Sequence, residues 1–136
     1  MVMLNGSTEK TEIPTRNGKV WKDDNGIIRY TVNKGVVERI ENAKEMIEAI
    51  ISITGKAKHH TLIDIRGLKS TDKATRDYYA SREVFEAANG GACAILVGSP
   101  ITAVIGNMFI RVNTPPYMVK LFFNEEKASD WLLGMD

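Results

Sequence analysis

Thirteen residues, Asp64 to Arg76 (DIRGLKSTDKATR), bring together two carboxylates, two guanidinium groups and three hydroxyls. A hydroxyl beside a carboxylate could serve as a nucleophile or accept a phosphate, and a nearby arginine could hold an anion. Nucleophilic catalysis, however, needs a nucleophile, a base and an oxyanion site held together. The only histidines are His59 and His60, adjacent just before a strand. Neighbouring side chains of an extended segment point to opposite faces, so the two cannot serve one site, and a histidine in that place reads as a surface residue. Metal chemistry lacks its pattern too, with no His-x-x-x-His, no cysteine pair and no dense carboxylate cluster. GKAK at Gly55 lacks the preceding glycine and the Ser/Thr of a phosphate loop. The expectation is therefore no enzyme, no cofactor and no metal.

A structural role fits the same residues. Asp64 and Arg66, two apart, share a strand face where the strand leaves its sheet; an ion pair, or Asp64 accepting backbone N–H groups of the loop, would brace that exit. Ser70 or Thr71 is expected to cap the helix that follows. Arg76 and Asp77 extend the polar patch. Asp64, Arg66, Ser70, Thr71, Asp72, Thr75 and Arg76 thus form a candidate corner for partner binding or regulation.

The elements that position this corner are legible as changes of period. EIPT, KVWKD and GIIRYTV are short β-rich segments separated by RNG and DNG, whose glycines suit the positive φ of tight hairpins, and GVVERI reads as a further extended piece. In NAKEMIEAIISITG, Ala43, Met46, Ile47, Ile50 and Ile51 recur at helical spacing; Asn42 with Glu45 resembles a capping box, and Gly55 is placed to end the helix. TLIDI is a buried strand, and one second helix is expected from Asp72 to Asn89. CAILVG is a continuous apolar run suited to a central strand. A third helix opens with Ser99 as cap and Pro100 at its first position and ends at Pro115 and Pro116. YMVKLFF is a last strand and NEEKASDWLLG a last helix capped by Asn124. This alternation predicts an α/β fold: a mixed sheet with an N-terminal antiparallel hairpin, parallel core strands and about four helices.

At 136 residues the chain fits a single domain over residues 11–136 behind a flexible tail of residues 1–10. A formal net charge of +1 supplies no field for nucleic acid. Cys93, alone in an apolar run, reads as a buried small hydrophobe. With no signal-peptide pattern and no apolar stretch near the roughly 20 residues that span a bilayer, the expected location is the cytoplasm.

LIDIRGLKS at Leu62 to Ser70, TRDY at Thr75 to Tyr78, NTPP at Asn113 to Pro116 and LFFNEEKASDWL at Leu121 to Leu132, with NGI at Asn25 to Ile27, carry a resemblance. From about Trp21 to Leu133 the chain resembles small bacterial STAS-like domains, akin to the anti-sigma-factor antagonists and grouped with the C-terminal half of the CRAL-TRIO lipid-transfer domain. Antagonists carry Asp-Ser-Ser/Thr-Gly at a helix start, where a kinase-type partner phosphorylates the hydroxyl. With Asp64 on the strand Asp and Asp72 on the loop Asp, the positions that follow are Lys73, Ala74 and Thr75. The phosphoacceptor is missing from its place.

The third helix is apolar around nearly its whole circumference: Ile101, Ala103, Val104, Ile105, Met108, Phe109, Ile110 and Val112. A helix on a sheet needs only a stripe. The surplus can be covered by neighbouring segments such as NTPPYM, by a partner or second copy, or by an apolar ligand; the helix is too short to span a membrane but could lie on one. Ile101, Val104, Ile105, Met108, Phe109, Val112 and Tyr117 form the candidate hydrophobic ligand or dimer surface. The expected function is a non-enzymatic STAS-like regulatory or interaction module that binds a protein partner or itself as a homodimer. The alternative, which the CRAL-TRIO resemblance implies, is a small carrier or sensor of a lipid-like ligand.

Overall fold

The computed structural model describes residues 12–135, so the expected tail over residues 1–10 lies outside the described part of the chain. Strands β1 (Glu12–Pro14), β2 (Gly18–Lys22) and β3 (Ile28–Val32) form the antiparallel opening, with Val20 opposite Tyr30. Only the second turn uses a positive φ, at Gly26 (φ 86°). At Gly18 the need is different: a Cβ there would stand 1.9 Å from the Thr31 carbonyl oxygen. The first turn is therefore built on close approach, and its Asn17 is buried.

After β4 (Val36–Glu38) and α1 (Ile40–Thr54) the chain alternates through β5 (Thr61–Asp64), β6 (Leu68–Thr71), α2 (Lys73–Tyr79), α3 (Arg82–Ala88), β7 (Cys93–Leu96), α4 (Pro100–Met108), β8 (Val119–Phe122) and α5 (Glu125–Leu133). The main sheet has the order β1-β2-β3-β5-β7-β8; all neighbours from β3 onward are parallel. β4 and β6 pair in parallel as a separate two-stranded sheet. The predicted α/β architecture is the observed one, with five α-helices.

Strand alternation divides the core. Ile63 and Ile95 face α1, α3 and α4, while Leu62, Ala94 and Leu96 face α5 through Ala128 and Leu132. Burying Leu132 completely is worth roughly 1.5–3 kcal/mol. Gly55 closes α1 in the left-handed conformation as expected, but the helix begins earlier than the sequence implied. Its N-cap is Arg39, whose N–H donates to the Asn42 side chain one turn in.

Three further expectations are corrected. The single helix from Asp72 to Asn89 is two, because Ser81 adopts an extended conformation and its hydroxyl oxygen accepts from the Val84 N–H, starting a new helix. Leu68–Thr71, expected within the loop that leads from the strand TLIDI to the next helix, is strand β6. Neither Ser70 nor Thr71 caps α2; Asp72 does, accepting from the Thr75 N–H at 2.9 Å. The third helix, in turn, gives way after Met108 to a π-helical turn, Phe109–Asn113.

Candidate functional site

The expected corner divides into three. Asp64 is buried and grips Arg66 through two side-chain hydrogen bonds, at 3.0 and 2.7 Å, while also accepting the Arg66 backbone N–H. Arg66 reaches Glu125, which is held more tightly by Arg29 at 2.6 Å. This pair braces the strand exit against α5, and the Asp64 contact raises the Arg66 guanidinium above its ordinary value. Asp72 and Thr75 form the second group. The Thr75 hydroxyl and N–H donate to Asp72 and hold its carboxyl below the usual range, helped by the charges of Arg39 and Arg76. Thr75 is 1% exposed, so a kinase could not reach its hydroxyl without opening α2.

Ser70, Thr71 and Arg76 form the third group, and it meets the hydrophobic candidates. They line a shallow groove of about 470 Å³ with Lys69 on one side and Pro100, Ile101, Val104, Ile105 and Met108 on the other. Ser70 and Lys69 are exposed. Thr71 is tied down, donating to the Glu38 carbonyl at 2.9 Å. The Arg76 Nε donates to Asn113 at 3.2 Å.

Helix α4 explains the apolar wall. The Ser99 hydroxyl accepts from the Thr102 N–H, and the Thr102 hydroxyl accepts from the Gly98 and Ser99 N–H groups, each at 3.1 Å. Thr102 and Gly106, four apart, are the buried residues of the helix. A Cβ on Gly106 would stand 2.4 Å from Leu121, so the helix lies close on β8. The large side chains therefore turn outward: Ile101, Val104, Met108 and Val112 are 65%, 60%, 39% and 69% exposed. The usual amphipathic arrangement is largely inverted: the most deeply buried positions of α4 are small or polar, and a hydrophobic stripe stands in water. Phe109 is buried, and Ile105 and Tyr117 are half-buried, so these three of the candidate surface face inward.

The expectation of a surface histidine is overturned at His59, which is buried with Nδ1 2.8 Å from the Ala57 carbonyl oxygen. That oxygen only accepts, so Nδ1 carries the proton; burial lowers the imidazole pKa. His60 accepts the Ala92 N–H on its own Nδ1. Burial pushes the Cys93 thiol up to about 11.

A further polar cluster was not foreseen. Glu38 is 4% exposed and accepts from Asn17 at 2.7 Å, from Tyr30 on both oxygens at 3.1 Å and from Tyr79 at 2.7 Å. Among the described residues no cation pairs with it. Burial and the facing carboxylate raise both tyrosines above their ordinary value. In the sequence Glu38 stands between Val37 and Arg39 in the short segment GVVERI, and nothing marks it.

A family described as a domain of unknown function, DUF7793, matches residues 20–136. The chain belongs to the DUF7793 family. No curated protein matches it. Among solved structures, this DUF7793 chain is similar to an uncharacterized protein of the DUF3478 family from Shewanella loihica PV-4, described as having a SpoIIAA-like fold. Identity is 16%, the TM-score is 0.54, and the match covers 91% of this chain and 92% of that one. The likeness establishes a SpoIIAA-like, and so STAS-like, fold. Among the described residues of the DUF7793 chain no group of acidic, histidine and cysteine side chains could hold a metal ion, and no helix is long and apolar enough to cross a membrane.

Proposed function

We propose that this protein is a non-catalytic STAS-like interaction module whose docking face is the outer surface of α4 together with the groove beside β6. The single observation that carries this reading is the inverted helix. Four large apolar side chains stand in water at positions 101, 104, 108 and 112, while the buried residues of α4 are Thr102 and Gly106. Stripes of this kind, rimmed by polar groups, are characteristic of protein contacts.

The rim supplies the chemistry of the partner. Lys69 and Arg76 line the groove beside the stripe, Arg111 is exposed and precedes Val112 in the chain, and among the described residues none of the three forms an ion pair within 4.0 Å of a carboxylate. A partner protein with an apolar ridge flanked by acidic side chains matches this surface. Ser70, exposed at the groove edge, is the hydroxyl of the corner most open to a partner or a modifying enzyme, since Thr71 is half-buried and bonded to the Glu38 carbonyl and Thr75 is buried.

Ile101 and Val104 are the residues to change, because Phe109 belongs to the core. A photo-reactive amino acid at position 104, expressed in the organism of origin, is expected to give one defined protein adduct that the same group at position 126 on α5 does not. The adduct partner, purified, should bind the wild-type protein and lose at least about tenfold in affinity to Val104→Asp. Native mass spectrometry covers the other form of the interaction, a dimer of this chain that Val104→Asp dissolves. Absence of any position-specific adduct, together with a monomer unaffected by the substitution, would falsify the reading.

A further inference from the structure

Behind the groove lies a cavity of about 120 Å³, enclosed by α1, α3, α4 and the face of the main sheet opposite α5. Its wall is almost wholly apolar, with Ile50, Val84, Ala87, Cys93, Ile95 and Phe109 among the residues that line it. Thr71, Arg76 and Ile105 line both the cavity and the groove, so only these side chains lie between the two.

The few polar groups divide the space electrostatically. Glu38 stands at the inner wall, but its carboxylate already accepts from Asn17, Tyr30 and Tyr79, and its lone pairs are taken. A ligand gains no anchor there, and its own negative charge is kept away from that end. At the junction with the groove the situation reverses. Arg76 spends its Nε on Asn113 and its charge acts on Asp72 from beyond ion-pair distance, Lys69 is exposed, and among the described residues no carboxylate stands within 4.0 Å of either cation. An apolar cavity of about 150 Å³ holds a benzene-sized molecule, so the smaller space here suits an apolar end of about five carbons, the rest of a longer chain lying toward the groove.

We propose that the cavity and the groove form one binding site for a monocarboxylic acid with a compact apolar body, the body inside the cavity and the carboxylate at Arg76 and Lys69. The site shares the groove, Arg76 and Lys69 with the proposed docking face and adds the cavity behind it; its test uses the isolated protein, so either reading can fail without the other. A guanidinium offers paired N–H donors to a carboxylate, whereas an alcohol of equal length brings no charge to the junction.

The experiment is a nitrogen-15 correlation titration of the full chain with sodium octanoate and, in parallel, with 1-octanol. Octanoate is expected to shift the amides of Thr71, Arg76, Ile105, Ala87 and Phe109 saturably, and to bind about tenfold more tightly than octanol. Arg76→Gln should remove that preference by weakening octanoate alone, and Ala87→Leu, which fills the cavity, should weaken both ligands. Should Ala87→Leu not fold, nuclear Overhauser contacts between the octanoate chain and the Phe109 ring report the same occupancy. Octanoate binding no tighter than octanol, an affinity indifferent to Arg76→Gln, or shifts located away from the cavity would each overturn the proposal.

Discussion

His59 shows how burial converts one side chain into a pH dependence of the whole fold. The unfolded chain takes up a proton on this imidazole near pH 6.5, whereas the folded chain, holding it out of water, accepts one only at lower pH. The contribution is complete above the unfolded value and is lost as the pH falls below it, because the unfolded state then binds more protons. Urea denaturation at about pH 8 and about pH 5.5 should show wild-type stability dropping on acidification more than that of His59→Phe. Glu38 provides a second prediction. Replacing it with alanine leaves the Asn17, Tyr30 and Tyr79 donors without their acceptor and is expected to cost about 3 kcal/mol or more. Glu38→Gln, which keeps one accepting oxygen, should cost less, and the two denaturation midpoints give the order directly.

At the level of elements, the start of α2 separates the residue that caps from those that only look able to. Asp72→Ala should destabilise the protein by about 1 kcal/mol, measured by chemical denaturation, while Ser70→Ala at the exposed edge stays within about 0.5 kcal/mol. The sequence points to a cap one or two residues early because Ser70 and Thr71 are good capping residues by type; pairing of Leu68–Thr71 with β4 removes them from the helix start. That pairing joins segments about thirty residues apart, and only Leu68 of β6 is buried, so no alternation announces the strand. The break at Ser81 was hidden for a similar reason: the apolar spacing through Tyr78, Tyr79, Val84 and Phe85 continues across it. By contrast, the hairpin, the central strand Cys93–Leu96, the Ser99–Pro100 start and the Asn124 cap are local patterns, and all were readable. The Asp64–Arg66 brace was readable too, from spacing alone. The Glu38 cluster was not, since its donors come from residues 17, 30 and 79.

For the molecule as a whole, the sheet divides the labour between its ends. Stability is concentrated on the two buried faces, with Val20, Ala94, Leu96, Val97 and Leu132 fully inside. The candidate docking surface lies outside them. Val104→Asp is therefore expected to leave the thermal midpoint within about 2 °C of wild type, measured by calorimetry, while Phe109→Asp should unfold the protein. The pair distinguishes a lost surface contact from a damaged core, which is the control any binding experiment on this helix needs.

The inverted α4 has an evolutionary consequence. Because Thr102, Gly106 and the inward-facing Ile105 and Phe109 seat the helix, the identities of the side chains at 101, 104, 108 and 112 are nearly decoupled from folding. A lineage can exchange them one at a time without passing through unstable intermediates. Relatives with the same scaffold could therefore diverge in what they recognise while their cores stay alike, with the inward residues as the part of the helix that selection holds fixed.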